Sequence, residues 1–135
     1  MPKILGLNLL GVIVATVVFW MLGYLWYGVL FMQPWMESHG LTADNAGGFD
    51  VYMIGGILTT FLQVLGVGLF LKWKGVASPV KAVMTAVLMW ALIALPLTMY
   101  AYLYLPAHNS TLLMIDAGHV LAGWVVSAIV LSLIK

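Results

Sequence analysis

Asp116 and His119 stand three residues apart in the apolar stretch "MIDAGHVLAGW". On a helix that spacing puts both side chains on one face, and Gly123 and Ser127 continue the face in steps of four. A charge at the centre of a bilayer costs at least ~2–3 kcal/mol on insertion scales, so such a residue normally faces protein or water and has a partner. Burial disfavours the charged form of a carboxyl group and an imidazole titrates near neutral pH, so the pair could carry a proton or hold a cation. The same residues also suit interhelical hydrogen bonds that lock a bundle. Metal binding has thinner support, because two ligands at this spacing are few and His39 and His108 fall in loops. As an acid/base pair they would need a third group, and no nucleotide-binding loop, nucleophile elbow or carboxylate pair appears. No cofactor and no resident metal is expected.

Two other segments carry polar or aromatic groups in apolar surroundings. Around residues 55–66, Gly55, Gly56, Thr59, Thr60 and Gln63 form a band of small and polar residues. Such a band lets helices approach closely and lets Gln63 hydrogen-bond across the contact or line a substrate path. With Gly123 and Ser127 it makes up the expected helix-packing seam. Near the N-terminus Trp20, Trp26 and Tyr27 cluster on neighbouring helix faces. They could form a vestibule that stacks on a cationic or apolar ligand, or anchor the helix end at the membrane interface.

The elements that must position these residues are membrane spans. The 135-residue chain is 64% hydrophobic and 7% charged, where a soluble domain has roughly a quarter of its residues charged. Five lysines, no arginine and four acids leave a net charge of +1, which provides no basic field for nucleic acid. The absence of cysteine removes disulfides, thiolate metal sites and thiol catalysis. Four apolar segments reach the ~20 residues a bilayer requires, at about 4–32, 52–71, 79–104 and 111–134. The first lacks a signal-peptidase-type site and is read as a retained span, long enough that it must tilt or bend. Pro34 opens an outer loop, 34–51, which holds Glu37, Asp44 and Asp50, with Thr42 and Asp50 as candidate caps. Ser78 with Pro79 starts the third span, which Pro96 should kink with Thr98 near enough to compensate. Asn109 or Ser110 caps the fourth.

Lys3, Lys72, Lys74, Lys81 and Lys135 all fall on one side of a four-span arrangement. By the positive-inside rule both termini are then cytoplasmic. The expected fold is a single all-α domain, a polytopic bundle of four transmembrane helices, without an internal repeat of the inverted transporter kind.

The stretch "GYLWYGVLFMQPWMESHGLT" resembles domain-of-unknown-function family 1761, through Gly23, Trp26, Tyr27, Trp35, Gly40, Leu41 and Thr42. The resemblance runs over the whole chain and implies a small multi-pass protein of a bacterial inner membrane with about four helices. Asp116 and His119 stand where that family more usually carries Asn and Tyr, and it implies no activity for this chain. The small multidrug exporters, which depend on a glutamate in the first helix, do not fit, since no acid lies between Lys3 and Glu37.

One functional reading is a homo-oligomeric transporter or channel-like module with its site at Asp116, His119 and Gln63. The alternative is a non-transporting structural or sensing module that binds a lipid or a membrane-protein partner through its Gly/Thr/Gln face. The expected partners are the lipid bilayer, further copies of the chain, and a small-molecule, proton or cation ligand.

Overall fold

The computed structural model describes residues 2–38, 51–104, 106 and 108–135. His39, Gly40, Leu41, Thr42, Asp44 and Asp50, with the caps and loop expected there, lie outside the described residues. The molecule is an all-α bundle with four helices long and apolar enough to cross a membrane: Leu9–Leu30, Met53–Lys74, Pro79–Tyr104 and Ser110–Leu133.

The first span begins later than its hydropathy suggests. Lys3–Ile4 (β1) and Leu7–Asn8 (β2) pair as a two-stranded hairpin, Lys3 opposite Asn8 and Ile4 opposite Leu7. Its turn residues Leu5 and Gly6 have φ of 51° and 79°, the left-handed conformation that a two-residue hairpin turn requires. The Asn8 side chain then accepts the Leu10 N–H at 2.9 Å and caps α1, Leu9–Leu25. The apolar run over 4–32 is therefore not one helix, because a capping asparagine beside a glycine turn outweighs local hydrophobicity.

The far end of the same run also breaks. At Trp26–Leu30 the helix widens into a π turn, closed by the Phe31 N–H on the Trp26 carbonyl at 2.9 Å. Phe31 leaves helical geometry (φ −121°, ψ 20°), and α2 follows over Met32–Ser38. Pro34, expected to open a loop, instead sits in the first turn of α2, where its missing N–H costs nothing.

Helix α3, Val51–Lys74, ends at Gly75, whose φ of 73° allows its N–H to reach Lys72 O (3.1 Å) and the Val76 N–H to reach Leu71 O (3.0 Å). Ser78 caps α4, Pro79–Met89, by accepting the Lys81 N–H, with Pro79 in the first turn. Before Pro96 the chain again takes a π turn, Trp90–Ala94, then continues as α5, Leu95–Tyr104. Proline cannot donate to the preceding turn, and the widened turn accommodates its ring; the Thr98 hydroxyl, expected to compensate, bonds back to Ala94 O (2.7 Å) and not to the carbonyl of Leu92 that Pro96 would have served. Helix α6, Ser110–Leu133, is capped by Asn109, which accepts the Leu112 N–H at 3.0 Å.

Helix α6 is the hub of the bundle and packs on α1, α3 and α4. One core cluster joins Val12, Ala15 and Phe19 of α1 to Val64 and Leu65 of α3; a second joins Val67 and Leu71 of α3 to Ala82 and Ala86 of α4 and Ala128 of α6. Lipid tails are as apolar as leucine, so these contacts depend on close fit around small residues. Among the described helical glycines Gly123 is the tightest, since a Cβ there would overlap the Phe19 ring. Only 28% of each span is buried within the chain, which leaves most of its surface for lipid or for other proteins. Lys3, Lys72 and Lys135 line one cavity, Lys74 closes α3 and Lys81 stands in the first turn of α4, so the lysines and both chain ends gather at one end.

Candidate functional site

The centre of the bundle is organised around the first third of α6. Counted from Ser110 at ~1.5 Å per residue, Asp116 lies about 9 Å and His119 about 13 Å along the helix. Asp116 Oδ1 accepts the Tyr27 hydroxyl at 2.6 Å, at the short end of the O–H···O range. The partner of Asp116 is thus a phenol on another helix rather than His119.

The carbonyls flanking Asp116 are held from two sides. The Trp26 indole N–H donates to Ile115 O at 2.9 Å, and the Trp90 indole N–H donates to Ala117 O at 2.8 Å. A helical carbonyl has a second lone pair, so each can take an indole without losing its helical bond. Both tryptophans are the first residue of a π turn, one in each of the two spans that grip α6. Gly118 makes the approach possible, because a Cβ there would stand 3.1 Å from Trp26 Cζ2.

His119 lies in an aromatic cage. Its ring centroid is 4.9 Å from Tyr27, 5.4 Å from Phe19 and 6.5 Å from Trp26, with Tyr27 in turn edge-on to Trp35 at 5.8 Å. Nε2 is buried and has no hydrogen-bond partner among the described residues. It faces Gly23, where a Cβ would stand 3.0 Å away.

The remaining candidates divide. Gln63 Oε1 accepts the Trp124 indole N–H at 2.9 Å and ties α3 to α6, away from Asp116. Ser127 is fully buried and bonds back to Gly123 O at 2.7 Å. Thr60 is buried and Thr59 exposed, and their hydroxyls bond back to Gly56 O and Gly55 O, both at 2.9 Å. Gly55 and Gly56 are exposed, and a Cβ at either would meet nothing within 4 Å. The expected seam therefore splits: Gly123, Ser127 and Thr60 face the interior of the chain, whereas Gly55, Gly56 and Thr59 face out of it. Of the expected aromatic vestibule, Trp26 and Tyr27 are bonded to α6, and Trp20, half-buried, is not among the rings around His119.

Sequence reasoning passed over Phe19, Trp90 and Trp124. The two tryptophans had a legible signal, since an indole N–H deep in an apolar run needs an acceptor and the only ones there belong to other helices. Phe19 had a weaker one, its spacing of four from Gly23. Among the described residues no three His, Asp or Glu side chains converge as a metal-ligand set.

No curated protein and no solved structure matches the chain. A family model does, over residues 10–132, which takes in the π turns, the caged histidine and the Tyr27–Asp116 bond. The chain belongs to the family described as protein of unknown function, DUF1761.

Proposed function

We propose that the protein is a non-transporting module of a bacterial inner membrane, which works by association within the bilayer and uses the Tyr27–Asp116 bond as the latch of its bundle. The observation that carries this reading is the way α6 is held: Trp26 and Trp90 bond the carbonyls on either side of Asp116, and Tyr27 bonds its carboxylate. A transport site must exchange its partners with water. These groups have their partners within the chain.

Association is supported by the outward face of α3. Gly55, Gly56 and Thr59 offer a smooth strip on which a second copy of the chain could approach closely. Native mass measurement in lipid nanodiscs should show a dimer or larger assembly, and Gly56→Leu should weaken it about tenfold, the equivalent of ~1.4 kcal/mol. The fold should survive the change because the space beside Gly56 is open within the chain. A wild type that is solely monomeric would reject self-association. The positive-inside rule places the lysine-bearing end in the cytoplasm, and a label at either terminus that reacts from outside would reverse that.

The transporter reading has one observation in its favour, the buried Nε2 of His119, without a partner among the described residues, on the same helix as Asp116. Reconstituted vesicles decide between the two. The expected result is proton and cation flux no greater than that of protein-free vesicles. Flux that is present in the wild type and lost in Asp116→Asn would overturn the non-transporting reading.

A further inference from the structure

At the lysine-bearing end the hairpin, the last turns of α3 and α6 and the turn after α3 enclose a cavity of about 580 Å³, within the ~300–1,000 Å³ range of small-molecule sites. Its lining includes Lys3, Lys72 and Lys135 and, among the described residues, no acidic side chain. Glu37 lies in α2 and Asp116 in α6 nearly five turns from its end, so neither side chain supplies a countercharge there.

All three lysines are exposed, and two of their ammonium groups have contacts within the chain. Lys135 Nζ donates to Ala77 O at 2.7 Å, and Lys72 Nζ rests against Gly6 in the hairpin turn, so closely that a Cβ at Gly6 would displace it. The hairpin is itself fixed: Leu7 packs on Gly68 of α3, where a Cβ would lie 2.6 Å from Leu7 Cδ1. Three exposed lysines thus line one cavity, a local excess of positive charge that a bound anion would offset. Below them the wall is apolar, with Leu7, Leu71 and Leu131.

We propose that this cavity binds a phosphate-bearing anion, supplied by the headgroup of an anionic phospholipid. The chemistry is that of a phosphodiester: three ammonium donors for its oxygens, with the Asn8 amide nitrogen as a further donor in the lining, while the Ser132 hydroxyl is already donated to Ile129 O. The lipid source is favoured by the apolar wall, which a free phosphate would leave unused and an acyl chain would cover. The site lies at the opposite end of α6 from Asp116 and is independent of the reading given above for that residue.

The test uses the full chain in nanodiscs of equal phosphatidylglycerol and phosphatidylcholine, with lipids retained after release into mild detergent identified by native mass spectrometry. Wild type should retain phosphatidylglycerol in preference to phosphatidylcholine. The preference should fall by about 5-fold for each cavity lysine lost, as ~1 kcal/mol per lysine near an anionic surface implies, and vanish in Lys3→Gln/Lys72→Gln/Lys135→Gln. Lys74→Gln/Lys81→Gln, which removes charge from the same end but outside the cavity lining, should keep it. Thermal unfolding of each variant identifies any that fail to fold, and for the triple variant the single Lys72→Gln then carries the comparison. Equal retention of the two lipids by wild type, or equal loss in both multiple variants, overturns the site. Displacement of phosphatidylglycerol by millimolar inorganic phosphate overturns the lipid source.

Discussion

Alanine in place of Gly123 should lower the stability of the folded chain by about 1–3 kcal/mol, the usual cost of forcing extra volume into a packed core. The substitution adds one methyl group, and a Cβ at this position would overlap the ring of Phe19, which is 1% exposed. Phe19 has no free direction in which to retreat, since its other side packs against the Val12, Ala15, Val64 and Leu65 cluster and its ring lies 5.4 Å from His119. The contact is specific enough to be tested by a second substitution. Phe19→Leu alone should also destabilise, because it leaves space at the centre of the bundle. In the Gly123→Ala background that space should receive the new methyl, so the double variant should be more stable than the sum of the two losses by about 0.5–3 kcal/mol. Reversible unfolding in mixed micelles, followed by tryptophan fluorescence, measures all four states. Simple additivity would mean that the α1–α6 contact is not where Gly123 exerts its effect.

Tyr27→Phe is expected to cost about 1–2 kcal/mol in the same assay, the upper part of the range for hydrogen bonds between membrane helices. Hydrogen bonds between membrane helices average only ~0.6 kcal/mol and reach ~1.7. A figure above that average is expected here because the bond removed is short, 2.6 Å, and the variant leaves the Asp116 carboxyl group without its phenol. Asp116→Asn keeps an oxygen acceptor for Tyr27 and discards the charge, so it should cost less than Tyr27→Phe. The order of the two losses is the informative quantity. Asp116→Asn proving the more damaging change would show that the charge itself, rather than the bond donated by Tyr27, holds α6 in place, and the latch would have to be reassigned.

What the sequence made legible was set by composition and local patterning. Four spans, the lysines at one end, the Ser78–Pro79 start and the Asn109 cap all follow from residues adjacent in the chain, whose hydropathy and hydrogen-bonding preferences act wherever the chain goes. Asp116 and His119 stood out for the same reason, because an ionisable group in an apolar run is conspicuous without any knowledge of its neighbours. The start of the first helix at Leu9 was legible in principle from Gly6 and Asn8 but was hidden by the hydrophobicity around them.

Tertiary structure decided the partners. Asp116 bonds Tyr27, 89 positions away, rather than His119, and the tryptophans reach carbonyls on α6 that no local pattern marks as acceptors. It also decided which side of each small-residue band faces inward: Gly123 meets Phe19, while Gly55 and Gly56 meet no side chain at all. The physical reason is that in a bilayer the apolar surface of a helix is satisfied equally by lipid and by protein. Hydropathy therefore determines that a segment spans the membrane, and the fit of rings into glycine notches, with the few polar groups that must find one another, determines which faces meet.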